Sequence, residues 1–260
     1  MLFLFLCISF IASIIGAICG IGGGVIIKPV MDALGVMNVS TITFLSSFTV
    51  LCMSTYSVAE IKLRGKVDIK ISISLPLSLG AVIGGLLGNT LFQYLLSISN
   101  NKNSLGVFQS ISLLLITLGA LVYTINKDKI KTYQVTNLFA SLIIGMLLGM
   151  MSSFLGIGGG PINLVVLFFF FSMETKVAVE NSLFIIFFSQ LANILKTLLT
   201  SNVPEFEIGV LILMAFGGIF GGVAGRLMNK KINEVAVDRL FIGVMIFIIF
   251  INIYNVYIYL

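Results

Sequence analysis

The sequence predicts an all-α protein that crosses a membrane several times, and three observations support this. Of its 260 residues, 58% are hydrophobic and only 10% are charged, and the mean hydropathy is +1.16. A soluble domain has about 25% charged residues. The charges lie in short clusters, and the apolar runs between them approach the roughly 20 residues that a helix needs to cross a bilayer.

Turn and charge signals divide the apolar runs into two series of predicted helices. The first series covers 1–19, 24–35, 38–60, 69–98 and 105–125. The second covers 133–155, 161–173, 176–200, 207–228 and 236–258. The second helix of each series is short and follows a glycine cluster. We therefore expect a first membrane repeat at 1–125, a cytoplasmic linker at 126–132 and a second membrane repeat at 133–260.

The two series also repeat each other in sequence. The motif GIGGG at 20–24 recurs at 156–160, an offset of 136. The segment GAVIGGLLG at 80–88 aligns with GGIFGGVAG at 217–225, an offset of 137. Because two separate glycine patterns recur in the same order at nearly one spacing, they indicate an internal duplication.

The loop charges predict how the halves are oriented, since Lys and Arg near segment ends favour the cytoplasm. The loop at 61–70 is basic, whereas its equivalent at 200–207 has two glutamates and no base. The loop at 97–103 has one lysine, whereas its equivalent from Arg226 to Arg239 has four basic residues. Each pair has opposite bias, which predicts inverted repeats with the linker in the cytoplasm and both termini outside.

Inversion requires an odd number of crossings in each half. Three whole helices satisfy this if the glycine-broken element returns to the side from which it came, as a re-entrant hairpin or a helix pair. The alternative of eight simple crossings would make the halves parallel and would place the basic loop after Arg226 outside.

The glycine clusters predict an anion site built from backbone. A helix that begins in mid-membrane directs unpaired N–H groups and a partial positive charge at one spot, and successive glycine amides form anion-binding nests. Transporters with inverted repeats and discontinuous helices bind substrate at the midplane. The predicted backbone ligands are Gly20, Gly22, Gly23, Gly24, Gly156, Gly158, Gly159 and Gly160.

Close helix packing is the alternative role for glycines in a membrane protein. It is the preferred interpretation of the glycines spaced by four residues at 80–88 and 217–225. Their regular spacing makes a smooth helix face rather than a break.

Polar side chains near the breaks could complete the anion site. They are Ser46, Ser47, Asn163, Asn181, Ser182, Gln190 and Asn193, for which packing, capping or interhelical hydrogen bonds are the alternative roles. Lys28 lies one turn past the first break, where a cation would attract an anion. Its alternative is to extend to the lipid headgroups, which is also the default expectation for Arg226.

Several function classes are excluded or weakly marked. There is no histidine, which excludes histidine metal sites and Ser-His-Asp triads, and the three cysteines show no ligand spacing. We expect no metal, no cofactor, no nucleic-acid partner and no enzymatic activity. The sequence leaves two alternatives in each of two questions: transport is coupled to a proton or cation or is uncoupled, and the protein is a monomer or a homo-oligomer. The acids lie near segment ends, and the deepest, Glu180, is expected to pair with Lys176 one turn away.

The two GIGGG turns, Ser46 with its equivalent at 181–183 (NSL), and the GGxxG helices resemble the TauE/SafE sulfite exporter family over essentially the whole chain. The resemblance implies a bacterial-type inner-membrane carrier of sulfite, thiosulfate, sulfoacetate or another organosulfonate. Leu45 stands where the second half has Asn181, so the two half-sites differ. We expect a secondary transporter that works by alternating access, with a passive anion channel as the alternative.

Overall fold

The computed structural model describes residues 2–63, 69–98, 102–200 and 203–259. These residues form ten α-helices and a 3-10 turn at Lys127–Lys129, which confirms the predicted all-α class. The basic loop around Arg64 and Lys66 lies outside the described residues. The helices are α1 Leu2–Cys19, α2 Gly24–Leu34, α3 Val39–Leu63, α4 Ile71–Ile98, α5 Lys102–Asn126, α6 Leu138–Leu155, α7 Pro161–Phe171, α8 Thr175–Leu199, α9 Ile208–Lys231 and α10 Glu234–Tyr259.

The helix boundaries follow local sequence signals. Eight helices, all except α2 and α7, are long and apolar enough to span a membrane. α1 and α6 end at the two glycine clusters, and α2 and α7, with 11 residues each, begin directly after them. Pro161 occupies the first position of α7, where its missing N–H group is no loss. The Asn137 side chain caps α6 by accepting from two backbone amides.

One set of long helices consists of α1, α3 and α9, which run parallel. The glycines of α9 at 217–225 lie in order against α1 at 9–17. On a neighbouring face of α9, Gly218 and Gly222 lie against α3 at 49–53. Residue numbers therefore rise together along all three helices.

A second parallel set consists of α4, α6 and α8. The glycines of α4 at 80–88 lie in order against α6 at 142–150. Along α8, Asn181 accepts from Ser74 and Lys196 donates to the carbonyl of Leu86 on α4. The two sets run antiparallel to each other, because the start of α3 at 40–47 shares a cavity with the end of α8 at 193–197.

The halves of the chain exchange contacts throughout. The first helix of each half packs on the fourth helix of the other, as α1 on α9 and α6 on α4. The last helices, α5 and α10, pack on each other, and each also contacts the short helix of the opposite half. At one of these contacts, Asn255 of α10 donates to the carbonyl of Pro29 in α2. The two breaks therefore come to lie between α3 and α8.

The regularly spaced glycines let backbones touch. A Cβ added to Gly84 would collide with the backbone carbonyl of Met146, and one added to Gly221 would lie 2.5 Å from the carbonyl oxygen of Phe10. Their predicted packing role is confirmed. These contacts fix the distance of α4 from α6 and of α9 from α1.

We expect Gly84→Ala to destabilise the protein by about 1–3 kcal/mol, because the methyl group must displace the α6 backbone. The matched control is Gly243→Ala in α10, where an added Cβ meets nothing within 4 Å. Melting temperatures of the two purified variants in detergent would check this. Equal melting temperatures would contradict the proposed close contact.

Candidate functional site

The two glycine breaks touch each other at the centre of the helix bundle. An added Cβ on Gly159 would lie 3.2 Å from the carbonyl oxygen of Ile21, and one on Gly22 would lie 3.4 Å from that of Gly158. Ile21 and Ile157, inside the two breaks, are fully buried. The sequence analysis predicted both breaks, and the structure brings them together.

Glycine is needed in the breaks because of their backbone conformation. Gly22 and Gly158 have φ values of 71° and 68°, in the left-handed region that residues with a Cβ rarely adopt. The two turns then differ, since Gly23 has a φ of −63° whereas its equivalent Gly159 has a φ of 139°. Each turn reverses the chain between a long helix and a short one.

Several amides of the breaks have no partner. Within the described part of the chain, no backbone or side-chain group accepts from the N–H groups of Gly22, Gly23, Gly158 or Gly159, although all four residues are buried. Buried amides are almost always hydrogen-bonded in native proteins. These four therefore form donors available to a ligand or to water.

The equivalent serines Ser46 and Ser182 differ in their hydrogen bonds. The Ser182 hydroxyl donates to the carbonyl of Gly20 at 2.5 Å and so holds the first break. The Ser46 hydroxyl is buried without a partner among the described residues, and an added Cβ on Gly24 would lie 2.9 Å from it. Ser46 therefore retains its full hydrogen-bonding capacity beside a break.

Two amide side chains lie near the second break with unsatisfied atoms. Both polar atoms of Gln190 are buried without a partner, as is the Oδ1 atom of Asn163. An added Cβ on Gly158 would lie 3.2 Å from Cδ of Gln190, and Asn163 occupies the first turn of α7. Because a buried amide without partners costs free energy, both residues suit a site that binds a polar ligand.

Asn181 and Asn193 instead hold neighbouring helices. The Oδ1 atom of Asn181 accepts from the Ser74 hydroxyl and from the amide of Lys70, which fastens α8 to α4. Asn193 donates to the hydroxyl of Ser153 on α6. Two of the predicted side chains, Ser47 and Asn193, line the same cavity.

This cavity, the vestibule, is a narrow polar space of about 30 Å³ between α3, α4, α6 and α8. Among the described residues, its lining contains no charged side chain and includes Ser40, Thr43, Ser47, Asn89, Asn193 and Thr197. An added Cβ on Gly156 would lie 2.7 Å from the hydroxyl of Thr43, so the vestibule reaches the second break.

Thr43 was not among the residues predicted from the sequence. The pattern that could have predicted it is the spacing of Ser40, Thr43 and Ser47, which places three hydroxyls on one face of α3. This face forms one wall of the vestibule.

Lys28 does not extend to the headgroups and is not an isolated cation. Its ammonium group lies 2.8 Å from Oδ2 of Asp32, and both side chains are buried, with 4% and 2% exposure. The pair is neutral overall, so Lys28 adds no net charge beside the first break. The i,i+4 spacing of the pair was the sequence signal for it.

Arg226 was expected to extend to the headgroups, and this expectation was wrong. Its side chain is only 3% exposed and lies 3.1 Å from Glu60 of α3 and 3.1 Å from Glu180 of α8. Lys230 lies 2.9 Å from Glu60. Glu180 thus pairs with Arg226 from a different helix. We call these four residues the ionic cluster.

A comparison with known families identifies the chain. The family model of the sulfite exporter TauE/SafE matches residues 5–251. The chain belongs to the TauE/SafE family. A curated relative, the "Probable membrane transporter protein YunE" of Bacillus subtilis (strain 168), is 26% identical over 270 residues, which cover 93% of each chain. No solved structure matches the chain.

The family membership confirms several predictions at once. This TauE/SafE protein is a multi-pass membrane transporter of a small anion in a lipid bilayer, and it is not an enzyme. Its eight long apolar helices agree with this assignment. The residues that hold the anion stay a prediction.

We expect Gly24→Ala to destabilise the protein far more than Gly23→Ala. A Cβ on Gly24 would collide with the carbonyl of Ile157, whereas one on Gly23 would lie 3.2 Å from Ala12 and its φ of −63° suits alanine. The expected loss for Gly24→Ala is about 1–3 kcal/mol. Melting curves of the two variants would test it, and equal curves would show that the breaks do not press together.

Proposed function

We propose that this TauE/SafE protein is a secondary transporter that moves a small sulfur-containing anion by alternating access. The substrate would be sulfite, thiosulfate, sulfoacetate or another organosulfonate. The observation that carries this proposal is the meeting of two glycine breaks, four of whose buried amides have no acceptor among the described residues. Since lipid cannot satisfy such groups, an anion is a fitting ligand for them.

The directions of the helices support inverted repeats. The equivalent helices α3 and α8 run antiparallel, since the start of one meets the end of the other at the vestibule. α1 and α3 run parallel through their common neighbour α9, so α2 must return the chain between them. This arrangement favours a returning glycine-broken element over eight simple crossings.

Taken together with the predicted loop charges, these helix directions would give the orientation of the transporter in the membrane. The loop at 61–70 and the linker at 126–132 would face the cytoplasm, and both termini would lie outside. The vestibule, which includes Pro204 of the acidic loop, would then open to the outside. The ionic cluster would lie on the cytoplasmic side.

Neutral donors suit a carrier that must release its anion. The amides of Gly22, Gly23, Gly158 and Gly159 would read the charge and rough shape of an oxyanion, and Ser46 would add a hydroxyl donor. Lys28, the cation one turn past the first break, is neutralised by Asp32, so it would not hold the anion in place by a net charge. Binding by dipoles alone is favourable but reversible, as transport requires.

A passive channel would need a path open at both ends at once. The vestibule leads to the breaks on one side, whereas partly buried ion pairs join α3, α8 and α9 on the other. This difference favours a carrier over the channel.

The substrate class can be tested by thermal stabilisation of the detergent-purified protein. The panel would contain sulfite, sulfate, thiosulfate, sulfoacetate, acetate and chloride at constant ionic strength. A ligand that binds only the folded state raises the melting temperature with concentration, by about 2.7 kcal/mol of stability at 100 times its Kd. A selective shift with sulfur anions would support the proposal, and no shift with any of them would overturn it.

Ser46→Ala and Ser182→Ala form a matched pair for the site. We expect Ser46→Ala to leave the ligand-free melting temperature unchanged, because its hydroxyl has no partner, and to weaken sulfur-anion binding about tenfold. Ser182→Ala removes the hydrogen bond to Gly20 and should lower the ligand-free stability by about 1 kcal/mol. Equal anion affinity in Ser46→Ala and the parent would exclude Ser46 from the site.

A further inference from the structure

We propose that Arg226 is a gating residue of the transport cycle. Together with Glu60, Glu180 and Lys230 it closes the anion pathway on the side opposite the vestibule. This inference rests on the proposed transport function, because a gate has meaning only for a pathway.

The vestibule and the ionic cluster lie at opposite ends of α3. Ser47 lines the vestibule, and Glu60, which belongs to the cluster, lies 13 residues further along the same helix. At 1.5 Å per residue this separates them by about 20 Å. The two glycine breaks lie between these levels, against Thr43 on the vestibule side.

The repeat offset places the cluster where the second half of the chain would form an equivalent vestibule. At an offset of 137, Asn89 and Gln93 of the vestibule correspond to Arg226 and Lys230. At an offset of 136, Phe44 corresponds to Glu180. The positions that line the uncharged vestibule on one side are therefore equivalent to positions that form ion pairs on the other side.

Each of these two regions borders one break. Thr43 lies against Gly156, and its equivalent Val179 lies against Gly20, where an added Cβ would be 2.6 Å from the Val179 backbone. Glu180 directly follows Val179 along α8. The ionic cluster thus lies beside the first break, just as the vestibule lies beside the second break.

The cluster joins the three helices that must separate for this side to open. Glu60 belongs to α3, Glu180 to α8, and Arg226 and Lys230 to α9. The four formal charges of its described members sum to zero, and Arg226 is the most buried of them, with 3% exposure. A transport cycle that alternates between sides would break these pairs and close the vestibule.

The cluster is incompletely satisfied, which suits a reversible contact. Nη1 of Arg226 and Oε2 of Glu180 are buried and have no hydrogen-bond partner among the described residues. Burying charges costs desolvation free energy, and the contacts within the network offset this cost. A partly satisfied network offsets less of the cost than a complete one. Rehydration on opening would satisfy the atoms that the closed state leaves unpaired.

Cysteine reactivity would test the gate without any substrate. In a background with Cys7, Cys19 and Cys52 replaced by alanine, Ser40→Cys would report on the vestibule and Ser57→Cys on the cluster side. Ser57 is fully buried, lies one turn before Glu60, and corresponds to Asn193 of the vestibule at an offset of 136. A small charged methanethiosulfonate should modify Ser40→Cys and not Ser57→Cys.

Arg226→Gln should then invert this pattern. We expect Ser57→Cys to react about tenfold faster and Ser40→Cys more slowly, because loss of the closed contact shifts the population toward the other state. Arg226→Lys, which keeps a cation between Glu60 and Glu180, should hold both rates nearer the parent values. An unchanged rate at Ser57→Cys in folded Arg226→Gln protein would overturn the gate.

Two further variants keep the test decisive. Lys127→Gln removes a different ion pair, to Asp238 of α10 at 2.5 Å, which touches α8 only at its first residue, Thr175, and has no contact with the ionic cluster among the described residues, so it should change neither rate. If Arg226→Gln does not fold, Glu180→Gln removes a single pair of the cluster and should still raise the Ser57→Cys rate. No increase with a folded Glu180→Gln protein would then reject the gate.

The gate and the proposed substrate can fail separately. Faster modification at Ser57→Cys with no thermal shift by any sulfur anion would support the gate and reject the substrate class. A selective shift by a sulfur anion with unchanged reactivity would reject the gate and leave the transport proposal standing.

Discussion

The structure depends on one constraint, which is that a helix broken inside a bilayer exposes backbone groups that lipid cannot satisfy. Here the two breaks meet, so that the carbonyls of Ile21 and Ile157 pack against glycines of the opposite break. Glycine faces on α4 and α9 draw α6 and α1 close and so hold the breaks between α3 and α8. In the proposed function, the break amides that have no acceptor among the described residues would receive the anion.

The two cations that are buried among the described residues, Lys28 and Arg226, are both paired with carboxylates. Lys28 is neutralised by Asp32 within one short helix, and Arg226 is neutralised by glutamates from two other helices. Breaking such a pair by removing one partner costs about 3–5 kcal/mol, whereas separating the helices into water restores hydration to both partners. The Lys28–Asp32 pair therefore suits a fixed part of the fold. The pairs that Arg226 forms with the two glutamates suit a contact that opens, as proposed for the gate.

The differences between the two halves carry as much information as their similarity. Ser182 is committed to the carbonyl of Gly20, whereas its equivalent Ser46 has no partner. A perfectly symmetric repeat would present the same surface to both sides of the membrane. Unequal residues at equivalent positions allow the two sides to be opened by different interactions.

The sequence by itself determined the class, the order of the helices, both breaks and the family, because apolar runs, glycine clusters and turn residues act over neighbouring positions. The predicted start of one helix at 133 was wrong, since α6 begins at Leu138 and the amides of Tyr133 and Val135 instead donate to carbonyls of α7. The tertiary structure alone decided which polar groups meet. Arg226 and Glu60 lie 166 residues apart, and Asn181 and Ser74 lie 107 apart. Spacing along the chain shows which face a residue shares, but the partner on another helix follows from how the helices rotate and pack.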